Sequence, residues 1–513
     1  MNPVPGVAVR GVVALRTGLF RSRWVPRTGP ARFAAMALLL LAAGAPALGS
    51  EALRDCSVPG IKNSVRCGAV QRALDPARPD SPVISVQFVV IPALARRRLP
   101  DPVFLLAGGP GQSAISLAGP VLGLLARLGN RRDLVFVDQR GTGDSAPLYC
   151  EDSRRSPLAE QADPARQTAR LQNCRRQLQA LPHGDLRFFT TTLAMQDLDA
   201  VREHIGAERI NLVGASYGTR AALEYQRQYP ARVRRMVLDG VAPPDMVLPA
   251  SSALDAQAAL DALFADCAAQ PACSAAHPRL RQDWASLLAS VPRAVQMAHP
   301  LTGEVQDLTL TRDMLLASVR APLYIPALAS ALPVAIAQAA QGRFIALLGL
   351  NSIQGARRAN RIAEGMHYSV LCAEDFPRLD AAQPLAPDFG DSGLRSVARV
   401  CADWPRGDVP AAFYTVPTGH APALLLSGGL DPATPPRHAE RIAAALGSNA
   451  RHVVVDHAGH GVLGIACMRD VLYRFIAAAD DTQALEVDAS CAAAIPRPPA
   501  FRPTAQPTEV RPG

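Results

Sequence analysis

Short apolar runs punctuate the first half of the chain at Val83–Ile91, Val103–Leu106, Leu134–Val137, Ile210–Val213 and Met236–Leu238. Each has the length of a strand, is rich in Val, Ile, Leu and Phe, and most end beside Gly or Pro, which is the pattern of strands buried on both faces. Between them, Leu193–Ile205 and Arg220–Tyr229 carry apolar residues at helical spacing. Strands alternating with helices predict βαβ units and a mostly parallel sheet with helices on both faces, an α/β class.

The pattern changes after Asp239-Gly-Val-Ala-Pro-Pro244 to Ala-rich, helix-period sequence broken by prolines, and it changes back near Pro410. Strand-like runs return at Ala423–Ser427 and His452–Asp456, with helices expected around Pro436–Leu446 and Met468–Ala478. The expected organisation is therefore a catalytic domain in two parts, residues 50–240 and 411–480, interrupted by a mainly helical lid over 241–410. Residues 481–513 hold six prolines and lack apolar periodicity, so they read as a Pro-rich tail in which Cys491 is the one residue that suggests anchoring.

The first 49 residues stand apart. Six arginines precede the first acidic residue, Glu51, and lead into the apolar stretch Phe33–Leu48 followed by small residues. This is the form of an export signal, with cleavage expected between Ala47 and Ser50. The stretch falls short of the roughly 20 residues a spanning helix needs, and Pro46 interrupts it, so no membrane span is expected after cleavage. A second uncharged stretch, Ala321–Gln341, contains Pro322, Pro326 and Pro333 and suits buried helices better than a bilayer.

Removing that N-terminal segment would take six of the nine net positive charges with it. Lys62 is the single lysine, and the arginines are interspersed with acids rather than gathered in a stripe with aromatic residues, which argues against nucleic acid as a partner. The ten cysteines fall as sequence neighbours: Cys56 and Cys67, Cys150 and Cys174, Cys267 and Cys273, Cys372 and Cys401, Cys467 and Cys491. An even count behind an export signal points to disulfides and a secreted or periplasmic location. No CxxC or clustered Cys/His spacing suggests a metal, and no cofactor is expected.

The chemistry concentrates in Gly214-Ala-Ser-Tyr-Gly218, which follows the apolar run Ile210–Val213 and precedes a helix-period segment. A strand turning sharply into a helix holds its serine in a strained conformation, and glycines two places to either side let the backbones pack. Ser216 is the expected nucleophile. A serine hydroxyl needs a base to take its proton and a third group to orient that base. Asp431 stands at the end of the apolar run that begins at Ala423, where such a carboxylate belongs, with Asp456 the weaker candidate. The base is one of two histidines in Asp456-His-Ala-Gly-His-Gly461, either His457 or His460. The order Ser, Asp, His is that of an α/β hydrolase. Backbone N–H groups of Tyr217 and of Gly108 or Gly109, in the loop Ala107–Ser113, are the expected oxyanion donors. That loop lacks the lysine of a P-loop and the spacing of a dinucleotide fingerprint.

Gly108-Gly-Pro-Gly111, Asp138-Gln-Arg-Gly-Thr-Gly-Asp-Ser145 and the Ser216 motif, in this order, resemble the prolyl iminopeptidase and tripeptidyl aminopeptidase group of α/β hydrolases. The resemblance continues through Leu238-Asp-Gly-Val241, Gly428–Pro435 and Gly459-His-Gly461, and it selects Asp431 and His460 as the partners of Ser216. Ala107 departs from the histidine that many members carry there. Asp138 and Arg140 are expected to brace the oxyanion loop through internal pairs.

The resemblance implies an exported exopeptidase acting on peptides with a free N-terminus. Such an enzyme must bind an α-ammonium, and a carboxylate does this by charge-assisted hydrogen bonding. Glu374, then Asp375, in Cys372-Ala-Glu-Asp375 are the expected substrate-binding residues, a motif shared with the tripeptidyl aminopeptidase branch. The same triad could equally hydrolyse carboxylic esters. A non-catalytic binding protein would have to keep the whole apparatus unused.

Overall fold

The structure, a computed structural model, describes residues 52–355, 361–379, 385–418 and 421–502. The expected export signal, residues 1–49, lies outside them. Nine strands form one sheet: β1 (Arg54–Cys56), β2 (Val65–Ala73), β3 (Val83–Ile91), β4 (Val103–Leu106), β5 (Leu134–Val137), β6 (Ile210–Ala215), β7 (Val233–Asp239), β10 (Ala423–Gly428) and β11 (Ala450–Val455). Their order is β1-β2-β3-β5-β4-β6-β7-β10-β11. From β5 to β11 neighbouring strands are parallel, and β1, β2 and β3 extend the sheet antiparallel.

Adjacent residues on the central strands feed opposite faces, as the pleat requires. Phe104, Leu212, Met236 and Leu425 enter one core beneath helices Pro164–Gln179, Thr191–His204, Tyr217–Gln228 and Pro436–Leu446. Leu105, Val213, Val237 and Leu424 enter the other, covered by helices Ala114–Gly129 and Met468–Ala477. Both faces are apolar because both are covered, which is why these strands read as continuous apolar runs.

The residues between β7 and β10 build a third core of their own, with Leu260, Trp284, Leu315, Ile336 and Leu347 at its centre. Helix Leu248–Ala269 opens this insertion. It is not helical throughout: β8 (Arg293–Ala298) and β9 (Val305–Leu310) form an antiparallel hairpin. Met297, Leu308 and Leu310 bury on one face of it while Val305, Asp307 and Thr309 stay outside, an alternation hidden in the sequence by the surrounding Ala-rich helices. The uncharged stretch Ala321–Gln341 is divided among helices Arg312–Leu323, Pro326–Ala329 and Leu332–Ala340. Among the described residues no helix is long and apolar enough to cross a membrane.

All ten cysteines are paired with their sequence neighbours, Cys56–Cys67, Cys150–Cys174, Cys267–Cys273, Cys372–Cys401 and Cys467–Cys491. The last of these belongs to a chain end that is more structured than its composition suggests. Helix Asp481–Leu485 and a short turn at Ser490–Ala494 bury Ala484, Val487, Ala489 and Ala492 against the sheet's second core. Buried Arg235 ties the segment down, donating to the carbonyls of Phe475, Ala478 and Asp480. The apolar contacts are small Ala and Val side chains, which leave no periodic signature. Truncation after Ala479 is therefore expected to remove a disulfide worth about 2–4 kcal/mol together with these contacts. A clear fall in Tm on thermal melting would show it, and an unchanged Tm would mean the segment is dispensable.

Candidate active site

Strand β6 passes into helix Tyr217–Gln228 within a single residue, Ser216, which sits at φ 55° and ψ −124°. A side-chain-bearing residue is strained there, and the local packing explains how it is held. A Cβ on Gly214 would lie 2.5 Å from the Gly218 carbonyl, and one on Gly218 would strike the Leu106 carbonyl of β4. Only glycines allow strand and helix this close. The amide of Ser216 donates to the Asp239 carbonyl at the tip of β7, at 2.8 Å.

Asp431 follows the tip of β10 and is buried. Its Oδ2 lies 2.8 Å from Nδ1 of His460, and it also accepts from the amides of Ala433 and Thr434 and from the Thr434 hydroxyl. The Thr434 hydroxyl stands 3.1 Å from the same imidazole nitrogen. Burial works against the Asp431 charge, but His460 and these donors outweigh it and hold the carboxyl below the usual range. For His460, burial disfavours the imidazolium, while Asp431 and then Asp239 reverse the balance and raise it above its ordinary 6.5. With Nδ1 engaged by the carboxylate, Nε2 is the nitrogen left to act as base. His457 and Asp456 are both exposed on the same loop and take no part in this pairing.

In the sequence Asp239 stands out only as part of Leu238-Asp-Gly-Val241. Its backbone carbonyl receives the Ser216 amide, and its buried carboxylate accepts from the amides of Val462 and Leu463 at 2.9–3.0 Å. Next to it, a Cβ on Gly240 would come within 3.2 Å of the His460 ring. The tip of β7 thus brings the serine turn and the histidine loop to one place. An aspartate after an apolar strand signals a loop in sequence; that it joins two others depends on the sheet order.

The loop after β4 leans over Ser216. A Cβ on Gly108 would lie 3.3 Å from that of Ser216, and Gly109 adopts φ 114°. Tyr217 is the first residue of its helix, so its N–H has no intrahelical acceptor. These are the positions from which backbone donors can meet an oxyanion. Asp138 braces the loop, accepting from the Ser113 hydroxyl at 2.7 Å and the Ile115 amide at 3.0 Å; burial pushes its carboxyl up to about 6 despite those bonds. Arg140 does something else: it grips Asp197 with two nitrogens and the carbonyls of Leu74 and Phe188, tying β5 to helix Thr191–His204.

Glu374 and Asp375 are buried in a polar cluster rather than on an open wall. Glu374 accepts from the Thr191 amide (2.7 Å) and hydroxyl (3.0 Å), and that hydroxyl also meets the Tyr217 hydroxyl at 2.7 Å. Asp375 takes Arg220 at 3.1 Å and the Leu248 amide at 3.2 Å, with Glu374 3.8 Å from the same guanidinium. One arginine is thus shared by two carboxylates. Burial raises the Glu374 carboxyl to about 7, with Arg220 pulling against it. The Cys372–Cys401 disulfide fixes the segment. The cavity of about 450 Å³ lined by Leu158, Met297, His299, Met314 and Val400 lies at the insertion and includes none of these residues. Among the described residues no group of three or more His, Cys, Asp or Glu side chains is placed to hold a metal.

Residues 101–464 match the family model described as alpha/beta hydrolase fold. The chain belongs to the α/β-hydrolase family. Relatives include the serine protease Hip1 of Mycobacterium tuberculosis, 26% identical over 417 residues, covering 73% of this chain and 78% of that protein. The tripeptidyl aminopeptidase of Streptomyces lividans is 30% identical over 208 residues, covering 37% of this chain and 38% of its own. A Streptomyces coelicolor protein named "Probable proline iminopeptidase" is 32% identical over 141 residues, 28% of this chain and 33% of its own. The resemblance read from the sequence motifs is borne out by these relatives, and this α/β hydrolase is akin to serine peptidases.

The proton balance between His460 and Asp431 can be read by NMR. The imidazole of His460 is expected to titrate above 6.5, and in Asp431→Asn to fall, since burial would remain and the opposing carboxylate would be gone. A titration that the substitution leaves unchanged would mean the two side chains are not coupled.

Proposed function

We propose that this α/β hydrolase is an exported serine exopeptidase that releases residues from the free N-terminus of peptides. Ser216 attacks the scissile carbonyl as Nε2 of His460 takes its proton; Asp431 holds the imidazole in the required tautomer. The amides of Tyr217 and of Gly108 or Gly109 receive the oxyanion. His460 then gives its proton to the departing amine, and water hydrolyses the acyl-enzyme by the same steps. The observation that carries the reading is the Asp431–His460 hydrogen bond and the serine in the strained strand-to-helix turn, both meeting the tip of β7 at Asp239-Gly240. The peptidase relatives support an amide over an ester as the bond cleaved. Five disulfides support an oxidising compartment and thus export. The boundaries 50–240, 241–410 and 411–480 serve as the working division into catalytic halves and lid.

The N-terminal preference rests on charge. With both carboxylates ionised, Glu374 and Asp375 leave Arg220 one positive charge short, and burial makes Glu374 reluctant to ionise alone. An incoming α-ammonium would supply the missing cation. The chain from Glu374 through the Thr191 and Tyr217 hydroxyls ends on the residue after the nucleophile, which supports a cut close to the bound amine.

The test is hydrolysis of a chromogenic panel: free-amine Pro, Ala and tripeptide anilides, their N-acetylated counterparts, and short acyl esters. Free-amine anilides should be cleaved, Ser216→Ala should abolish cleavage, and Asp431→Asn should lower kcat by about 10⁴-fold. Ser216-dependent turnover of esters alone would make the protein an esterase. Glu374→Gln should lower kcat/KM for free-amine substrates about 10- to 100-fold, chiefly through KM, as loss of one hydrogen bond to a charged group does. An unchanged preference for free over acetylated N-termini would remove Glu374 from recognition.

A further inference from the structure

The insertion touches the proposed base directly. Beyond helix Arg312–Leu323, the Tyr324 carbonyl accepts from the His460 amide at 2.9 Å, and the Tyr324 ring meets the imidazole edge to face, with centroids 5.1 Å apart. A Cβ on Gly459 would run into that carbonyl, so the histidine loop is fitted against this turn. One helical turn back, Arg320 lies along Tyr324, its Nη2 donating to the phenolic hydroxyl at 3.2 Å. Its Nε is buried and has no hydrogen-bond partner.

Arg320, half-buried, lacks the carboxylate partner that the fully buried arginines have. Arg132, Arg140, Arg202 and Arg220 each meet an aspartate, whereas among the described residues no carboxylate pairs with Arg320. Its charge is felt at His460, where burial and, more weakly, Arg320 oppose the imidazolium. In the proposed mechanism that imidazolium forms during turnover, and Arg320 weakly offsets the support that Asp431 and Asp239 give it. A bound anion would satisfy the guanidinium and relieve the opposition together.

The direction of the chemistry says which part of the substrate comes here. His460 delivers its proton to the leaving nitrogen, so the departing portion passes the imidazole, against which the Tyr324 ring packs with Arg320 alongside it. We propose that Arg320, aided by the Tyr324 hydroxyl, binds a carboxylate on the departing portion of the peptide. This assigns a leaving-side specificity determinant and rests on the exopeptidase reading above. The carboxylate comes either from the free C-terminus of a short peptide, cut one residue from its end, or from an acidic side chain just after the scissile bond; guanidinium–carboxylate recognition is common to both.

The experiment takes the acyl portion X of the best anilide substrate and compares kcat/KM for X-Ala with a free C-terminal carboxylate, X-Ala amide and X-Asp amide. The wild-type protein should favour one or both carboxylate-bearing peptides over X-Ala amide by at least about tenfold, the contribution of one charge-assisted hydrogen bond. Which of the two is favoured identifies the source. In Arg320→Gln the ratio should collapse towards one, Arg320→Lys should keep part of it, and Tyr324→Phe should lower it while leaving the ring on His460. Because each ratio is taken within one variant, a loss of folded protein cancels. A wild-type ratio near one, or a ratio that Arg320→Gln leaves intact, overturns the proposal while the exopeptidase reading stands. Failure of the wild-type protein to cleave any free-amine anilide overturns both.

Discussion

Ser216 can stand out from the sheet only because a strand becomes a helix across it, and that turn constrains everything around it. The residue is held at a positive φ, a conformation that costs on the order of 1–3 kcal/mol and persists only where surrounding structure over-determines it. Here the surroundings do so from three sides. Gly214 and Gly218 bring strand, helix and the end of β4 into contact, the Asp239 carbonyl takes the serine amide, and the loop after β4 brings Gly108 against the serine. Relaxing any of these would let Ser216 fall back to an ordinary conformation and retract its hydroxyl.

The same arrangement explains why the site is assembled at the ends of β4, β6, β7 and β10. In a parallel sheet these ends lie side by side, so short loops from distant parts of the sequence meet. Asp239 is the hinge of that meeting, joined through its backbone to the serine and through its carboxylate to the loop that carries His460. The insertion is not a passive cover. It reaches His460 through Tyr324 and reaches the helix behind Ser216 through the Arg220 cluster, so it packs against both the histidine loop and the helix that follows the serine.

Much of this was legible in the sequence because local physics decided it. The core strands bury both faces, so they appear as apolar runs; the serine turn requires glycines at fixed spacing; Asp431 and His460 occupy loops right after strands. What escaped was decided by tertiary contact. Strand β2 mixes Arg66, Gln71 and Arg72 with apolar residues because it lies near the edge of the sheet. The β8–β9 hairpin offers a weak alternation inside an Ala-rich insertion. The chain beyond Asp480 packs through small side chains that give no period. Glu374 and Asp375 stand out in the sequence as acids, but that they share Arg220 is visible only once the insertion is folded against the helix that follows Ser216. Arg320 was one arginine among many until Tyr324 placed it beside His460.

The central claim is that Ser216 is activated by His460 and Asp431, and covalent labelling tests it without choosing a substrate. A fluorophosphonate probe followed by peptide mapping should place a single adduct on Ser216. Labelling should be lost in Ser216→Ala and strongly slowed in His460→Ala. An adduct on another residue, or labelling that survives Ser216→Ala, would contradict the account.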